Sequence, residues 1–298
     1  MKIIFRQILL ILNLLLIGIV AHSQDINDSI FYTTNNRSNL TISTFKATRL
    51  IDQHTIEVLG KRTLDFRISH RFGPINSKAY NAWGIDGPAN IHLGLEYSFD
   101  GRLMIGIGRT SYEKMTNAFL KYKWFRQTDD NKMPLTITLF TGIYRTALKV
   151  DNSPTSGFNK YQYSADRLSY CFEIIAARKF NSNFSLQINP WFVHYNLVDN
   201  INDRNDCFGV SGAARFKFTK RSAITIEYAY RINNYSIEVK YFDSMSIGYE
   251  LETGGHVFQI HLTNSFGITE NQFLTHTDSK WNDMGIRLGF NISRVFSL

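Results

Sequence analysis

Polar or small residues recur at every second position through much of this chain, and charged ones are scattered among them. Arg67, Glu96, Glu173, Arg215, Glu227, Glu250 and Arg287 each stand between apolar neighbours, as Glu96 does between Leu95 and Tyr97. A repeat of two is the signature of a β-strand with unlike faces. The seven therefore share a polar face with residues such as Asp65, Lys121, Lys123, Gln259 and Asn291. A mixed-sign set of this kind suits two kinds of chemistry. Rings of charge around a water-filled passage select small polar solutes. The same side chains could instead pair into a salt-bridge network that fills the interior of a closed sheet.

Other candidate groups carry less. His70 and His194 fall on the apolar parity near strand ends, where a membrane-embedded hydrolase would need a serine beside one of them. No serine takes that parity on the strands next to His194. His92 and His261 take the polar parity but lack a helical His-Glu-x-x-His spacing or a cysteine cluster, so neither is assigned a metal. Gly254 and Gly255 lack the spacing of a phosphate-binding loop and read as a hairpin turn. Cys171 and Cys207 fall on non-adjacent strands and are expected to stay unbridged. No catalytic residue and no cofactor is assigned.

The elements that position these residues are strands. Alternation recurs at 64–70, 91–99, 103–107, 118–124, 135–143, 168–176, 184–192, 208–218, 224–232, 245–251, 258–262 and 286–292. Many of these approach the length needed to cross a bilayer at a tilt. The connections alternate too. Asp100-Gly101, FNSN, TKRS and TGG are short, whereas 73–88, 145–166, 195–206, 233–243 and 264–282 are long. The links near 109–117 and 126–134 follow the rule less closely. A soluble β-sandwich would alternate along its strands but not between turn lengths. Aromatics make up 14% of the chain and mean hydropathy is −0.19, as suits a wall with only one lipid-facing side. The predicted fold is all-β: an antiparallel transmembrane β-barrel of about 12 strands with short periplasmic turns and long extracellular loops. Trp83, Trp124, Trp191 and Trp281 mostly fall near strand ends, as an interfacial belt would, although Trp191 takes the inward parity.

The two ends of the chain add a destination. Lys2 and Arg6 precede an apolar run over 8–20, and Ala21-His22-Ser23 offers a cleavage site, so 1–23 reads as a signal peptide. Residues 24–60 read as a lead-in or a plug, and 61–298 as the barrel. Without Lys2 and Arg6 the formal charge falls from +8 to +6, with no run of like charge to suggest nucleic-acid binding. The final strand ends on Phe296 and Leu298, the kind of terminus that barrel-assembly machinery reads.

The segments LDFRISHRFG (64–73), ANIHLGLEYSFDGRLMIGIGRTSYEK (89–114), IIAARKF (174–180), ETGGHVFQIHLTNS (252–265) and GFNISRVF (289–296) resemble an uncharacterised β-barrel family of the Bacteroidetes outer membrane. FKATRLIDQHTIEVLGKRTL (45–64) is similar to the stretch that leads into that family's first strand. The resemblance implies an outer-membrane barrel in contact with lipid and brings no catalytic residues. The leading functional expectation is a narrow passive channel or porin-like conduit for small polar solutes. A plugged barrel serving as a platform for partners is the second reading, and an outer-membrane lipid hydrolase the third. No oligomeric state is assigned.

Overall fold

A computed structural model describes residues 39–150, 160–237 and 239–298. The signal-peptide reading of 1–23, and the first part of the 24–60 segment, lie outside the described residues. Twelve strands follow one another: β1 (Thr63–Pro74), β2 (Asn90–Ser98), β3 (Leu103–Thr110), β4 (Thr116–Phe125), β5 (Thr136–Arg145), β6 (Leu168–Lys179), β7 (Phe184–Tyr195), β8 (Asp206–Lys217), β9 (Ser222–Arg231), β10 (Ser244–Thr253), β11 (His256–Thr263) and β12 (Arg287–Ser297). Each pairs antiparallel with its sequence neighbours, and β1 pairs with β12 to close the barrel. Closure leaves no edge strand with unpaired backbone groups, which lipid could not satisfy.

Alternation becomes inside and outside. On β2, Ile91, Leu93 and Leu95 are exposed on the outer wall while His92, Glu96 and Ser98 are buried inside. The same division holds on β1, where Asp65, Arg67 and Ser69 are buried and Phe66 faces out. Register with β2 sets Arg67 opposite Gly94 and Asp65 opposite Glu96, so the polar side chains of adjacent strands meet in rows.

Short turns gather at one end. Gly101 has φ of +80° in the β2–β3 turn, where the Asp100 carboxylate accepts the N–H groups of Arg102 (2.8 Å) and Leu103 (2.7 Å). Gly254 and Gly255 make the β10–β11 turn with φ of +44° and +97°. Only glycine and a few polar residues take that region cheaply, so their place in the sequence fixes the hairpins. In the middle of β7, Pro190 lacks an N–H, and the ladder to β6 lapses between the Glu173–Trp191 and Ala176–Ile188 pairs without losing register. Cys171 and Cys207, on β6 and β8, are buried and unbridged.

One expectation is overturned. The β11–β12 connection was expected to project outward over 264–282. Instead its first part, to Thr277, folds into the barrel, where a short helix, α1 (Glu270–Thr275), is buried at all six positions, while Asp278, Lys280 and 282–284 stay exposed. Ile268, Phe273 and Leu274 supply its apolar contacts inside.

Candidate functional site: the occluded lumen

The polar inner wall encloses part of the chain itself. Residues 44–60 run inside the barrel and are buried throughout except for the half-buried Lys46. The segment enters at the short-turn end, where Thr41 N–H donates to the Gln127 carbonyl (2.9 Å) and Asp129 N–H to the Asn39 carbonyl (2.8 Å). Further in it doubles back as a tight hairpin. Thr55 N–H donates to the Thr48 carbonyl (2.9 Å), Leu50 N–H to the Gln53 carbonyl (3.1 Å), and Arg49 pairs with His54. The tip is thus residues 50–53.

A hairpin inside a barrel has no neighbouring strand to satisfy its outer backbone groups, so side chains must do so. The Glu227 carboxyl on β9 accepts the N–H groups of Ile51 (2.7 Å), Asp52 (3.0 Å) and Gln53 (3.3 Å). Successive backbone N–H groups converging on one carboxyl form an anion-holding concavity. Asn291 on β12 donates to the Ile51 carbonyl (2.9 Å), and Gln187 on β7 to the His54 carbonyl (2.9 Å). Lys121 on β4 donates to the carbonyls of Glu57 (2.6 Å) and Thr48 (3.1 Å). Arg71 on β1 pairs with Asp52. Strands around most of the wall therefore grip one hairpin, through its backbone and its side chains.

Apolar groups fill the remaining space. Phe45, Leu50, Ile56 and Leu59 belong to one buried cluster with the inward Phe119, Phe140, Ile175 and Trp191. The wall makes room for its rings with glycine: a Cβ at Gly106 would strike Phe119, and one at Gly209 would strike Trp191.

The hairpin and α1 meet near the middle. Arg49 Nη1 lies 2.5 Å from Glu270 Oε1, and the Tyr144 hydroxyl donates to Glu270 Oε2 at 2.6 Å. His54 Nε2 is 3.3 Å from the same carboxylate. Arg49 also faces Glu96 at 3.8 Å. Burial, and then the charges of Arg49, Lys121 and Arg67, push the His54 imidazole well below its ordinary range, so it is neutral at neutral pH. Burial raises Glu57, but Lys123 at 2.9 Å, the Phe45 N–H that it accepts and the charge of Lys121 together outweigh that and hold the carboxyl below its ordinary range.

The seven candidates from the sequence all lie inside, and they divide by partner. Glu227, Glu96 and Arg67 touch the hairpin; Thr48 Oγ1 donates to Glu96 at 2.6 Å and accepts from Arg67 Nη2 at 3.3 Å. Arg215 and Glu250 pair with each other at 2.8 Å. Glu173 accepts from Asn189 at 3.2 Å. Arg287 stands apart at the long-loop end, 3.6 Å from Asp278 and over the Phe266 ring. Sequence reasoning missed the partners supplied from within: Arg49, Asp52, Glu57 and Glu270.

On the outer wall, His194 Nδ1 is 2.7 Å from Asp206. The serines of β6 and β8, Ser169 and Ser211, are buried on the inner face, so neither stands beside that pair.

Twelve strands with an apolar exterior and a polar interior filled by two inward-folded segments of the chain define an internally plugged transmembrane β-barrel. The chain belongs to the family described as membrane bound beta barrel domain (DUF5777), whose model matches residues 45–296 and so includes the internal hairpin. No curated protein compared with it matches. Among solved structures it is similar to the NanC porin, at 8% identity over 79% of this chain and 99% of that one, with a TM-score of 0.47. It is also similar to the COG4313 outer membrane channel from Pseudomonas putida F1, at 13% identity over 83% and 100%, with a TM-score of 0.46. Outer membrane phospholipase A from Escherichia coli shares 12% identity over 78% and 92%, with a TM-score of 0.40.

Proposed function

We propose that this protein is an outer-membrane, porin-like conduit for small polar solutes that rests closed and opens when its internal hairpin is displaced. The observation that carries the reading is how the occupant is held. The 44–60 segment bonds to the wall mainly through side chains, not through a β-ladder continuous with the barrel. Side-chain hydrogen bonds can be exchanged for water one at a time, and a wall rich in charge would remain hydrated after the hairpin left.

Single-channel recording tests this. The full-length protein in planar bilayers should be closed most of the time. Arg49→Ala combined with Glu227→Ala in the full chain, or deletion of residues 40–59, should give steady openings. Silence from both altered proteins, once shown to be folded by heat-modifiable migration, would favour the platform reading. The hydrolase reading has the His194–Asp206 pair in its favour, but among the described residues the serines of the neighbouring strands β6 and β8 face inward.

A further inference from the structure

We infer that the short-turn end of the barrel is a docking surface for anionic phospholipid headgroups. The argument starts from charge. The segments 61–62, 99–102, 126–135, 178–183, 217–221, 252–256 and 294–298 make up that end, with eleven basic side chains against four acidic ones. The opposite end, taken as the described long loops with their bordering strand residues, carries twelve basic and ten acidic. The net positive charge is thus seven on one rim and two on the other, although the long-loop end has more residues.

Position gives the charge its meaning. Lys61, Arg62, Arg102, Lys132, Lys220 and Arg221 are all exposed, so they are not spent on the lumen network. Among the described residues Lys61, Arg62, Lys220 and Arg221 make no ion pair with acidic side chains. Within the rim and next to it on the outer wall lie exposed aromatics: Phe99, Trp124, Phe180, Phe216 and Phe218. Such rings mark the level where hydrocarbon gives way to headgroups. Two guanidinium groups bridge the layers, with Arg178 over Phe180 at 5.5 Å and Arg294 over Phe296 at 4.9 Å. The aromatic faces hold these cations at headgroup depth, where phosphate oxygens are the available anions. Clustered Lys and Arg at that level attract a negatively charged leaflet and have little effect on a net-neutral one.

Native mass spectrometry of the full-length protein in detergent tests the assignment, with phosphatidylglycerol and phosphatidylcholine of matched chains as probes. Phosphatidylglycerol should be retained at least tenfold more strongly. The combined variant K61Q/R62Q/K220Q/R221Q should lose that preference, at roughly fivefold for each cation removed, the equivalent of about 1 kcal/mol. The loop-end control K78Q/K114Q/R145Q should keep it. Equal retention of the two lipids, or loss of preference in the control alone, overturns the proposal. Retention of an anionic polysaccharide in place of phosphatidylglycerol would also overturn it, by naming a different partner. Heat-modifiable migration of each variant separates loss of binding from loss of fold. Channel activity is not the readout, so this result stands or falls apart from the conduit reading.

Discussion

At the scale of single residues, a few charged groups tie the occupants of the lumen to each other and to the wall. Arg49 faces both Glu270 and Glu96 in a buried site. Arg49→Ala leaves the buried Glu270 carboxylate without its arginine and removes one of the cations facing Glu96, a change that costs about 3–5 kcal/mol when a buried pair is broken from one side. Hydrogen exchange should then rise sharply over both 48–57 and 268–277, because the arginine belongs to both elements. Glu227→Ala is the more local change. It strands three N–H groups, at about 1–3 kcal/mol, and exchange should rise at 51–53 while 268–277 stays protected. Equal exposure of both regions in the two variants would show that the hairpin and α1 do not act through Arg49. Acid provides a third test. Glu57 is held low by Lys123, so its contribution is present above the ordinary carboxyl range and lost as pH falls through its depressed value. His54 adds to the loss: it stays neutral in the folded hairpin, whereas a released His54 takes up a proton below its ordinary value of 6.5, so falling pH favours release. Protection of 44–60 should therefore begin to decline below about pH 6.5, the ordinary histidine value, and fall further below about 4.5, the ordinary glutamate value.

At the scale of elements, the strands were legible and the contents were not. All twelve strands fall where alternation placed them, since lipid on one side and a polar interior on the other impose a repeat of two that hydropathy averages hide. The seven polar-face candidates could be placed inside for the same reason. Residues 44–60 show no such repeat, because they are surrounded by wall: Leu50 and Ile56 meet rings while Arg49 and Glu57 between and beside them meet ions. A segment buried on every side has no periodicity to read. The 264–286 connection offered one usable sign, Thr269 followed by Glu270 and Gln272, a helix-start pattern, but six residues are too few for a repeat to confirm it. Two measurements check these assignments. Leu93 is exposed on the outer wall, so Leu93→Arg should cost roughly 2–4 kcal/mol and reduce heat-modifiable barrel. Glu96→Gln keeps an acceptor for Thr48 and should assemble. Thiol labelling reports on the inward loop. Cys171 and Cys207 are fully buried, so the folded wild type should not react. A cysteine at Ile201, which is exposed on the β7–β8 loop, should react at once, whereas one at Phe273 should react only after unfolding.

At the scale of the whole molecule, the two occupants of the lumen are the segments that lead directly into the two strands of the closing pair. The hairpin precedes β1, and the inward connection with α1 precedes β12. This arrangement sets a sequence of events for assembly. A bulky, multiply bonded hairpin would have to be threaded into a barrel that had already shut, past a ring of polar groups seeking partners. If instead β1 and β12 are the last to meet, each brings its own occupant, and the contents are wrapped as the wall closes around them. Contact between Arg49 and Glu270 would then form at the same moment as the β1–β12 seam, making the filled interior a checkpoint for closure. Refolding into vesicles should show the mark of it. Arg49→Ala should gain β-structure at the normal rate, as followed by circular dichroism, and acquire heat-modifiable migration more slowly. Equal delay in both signals would place the filling of the lumen ahead of the pairing of its last two strands.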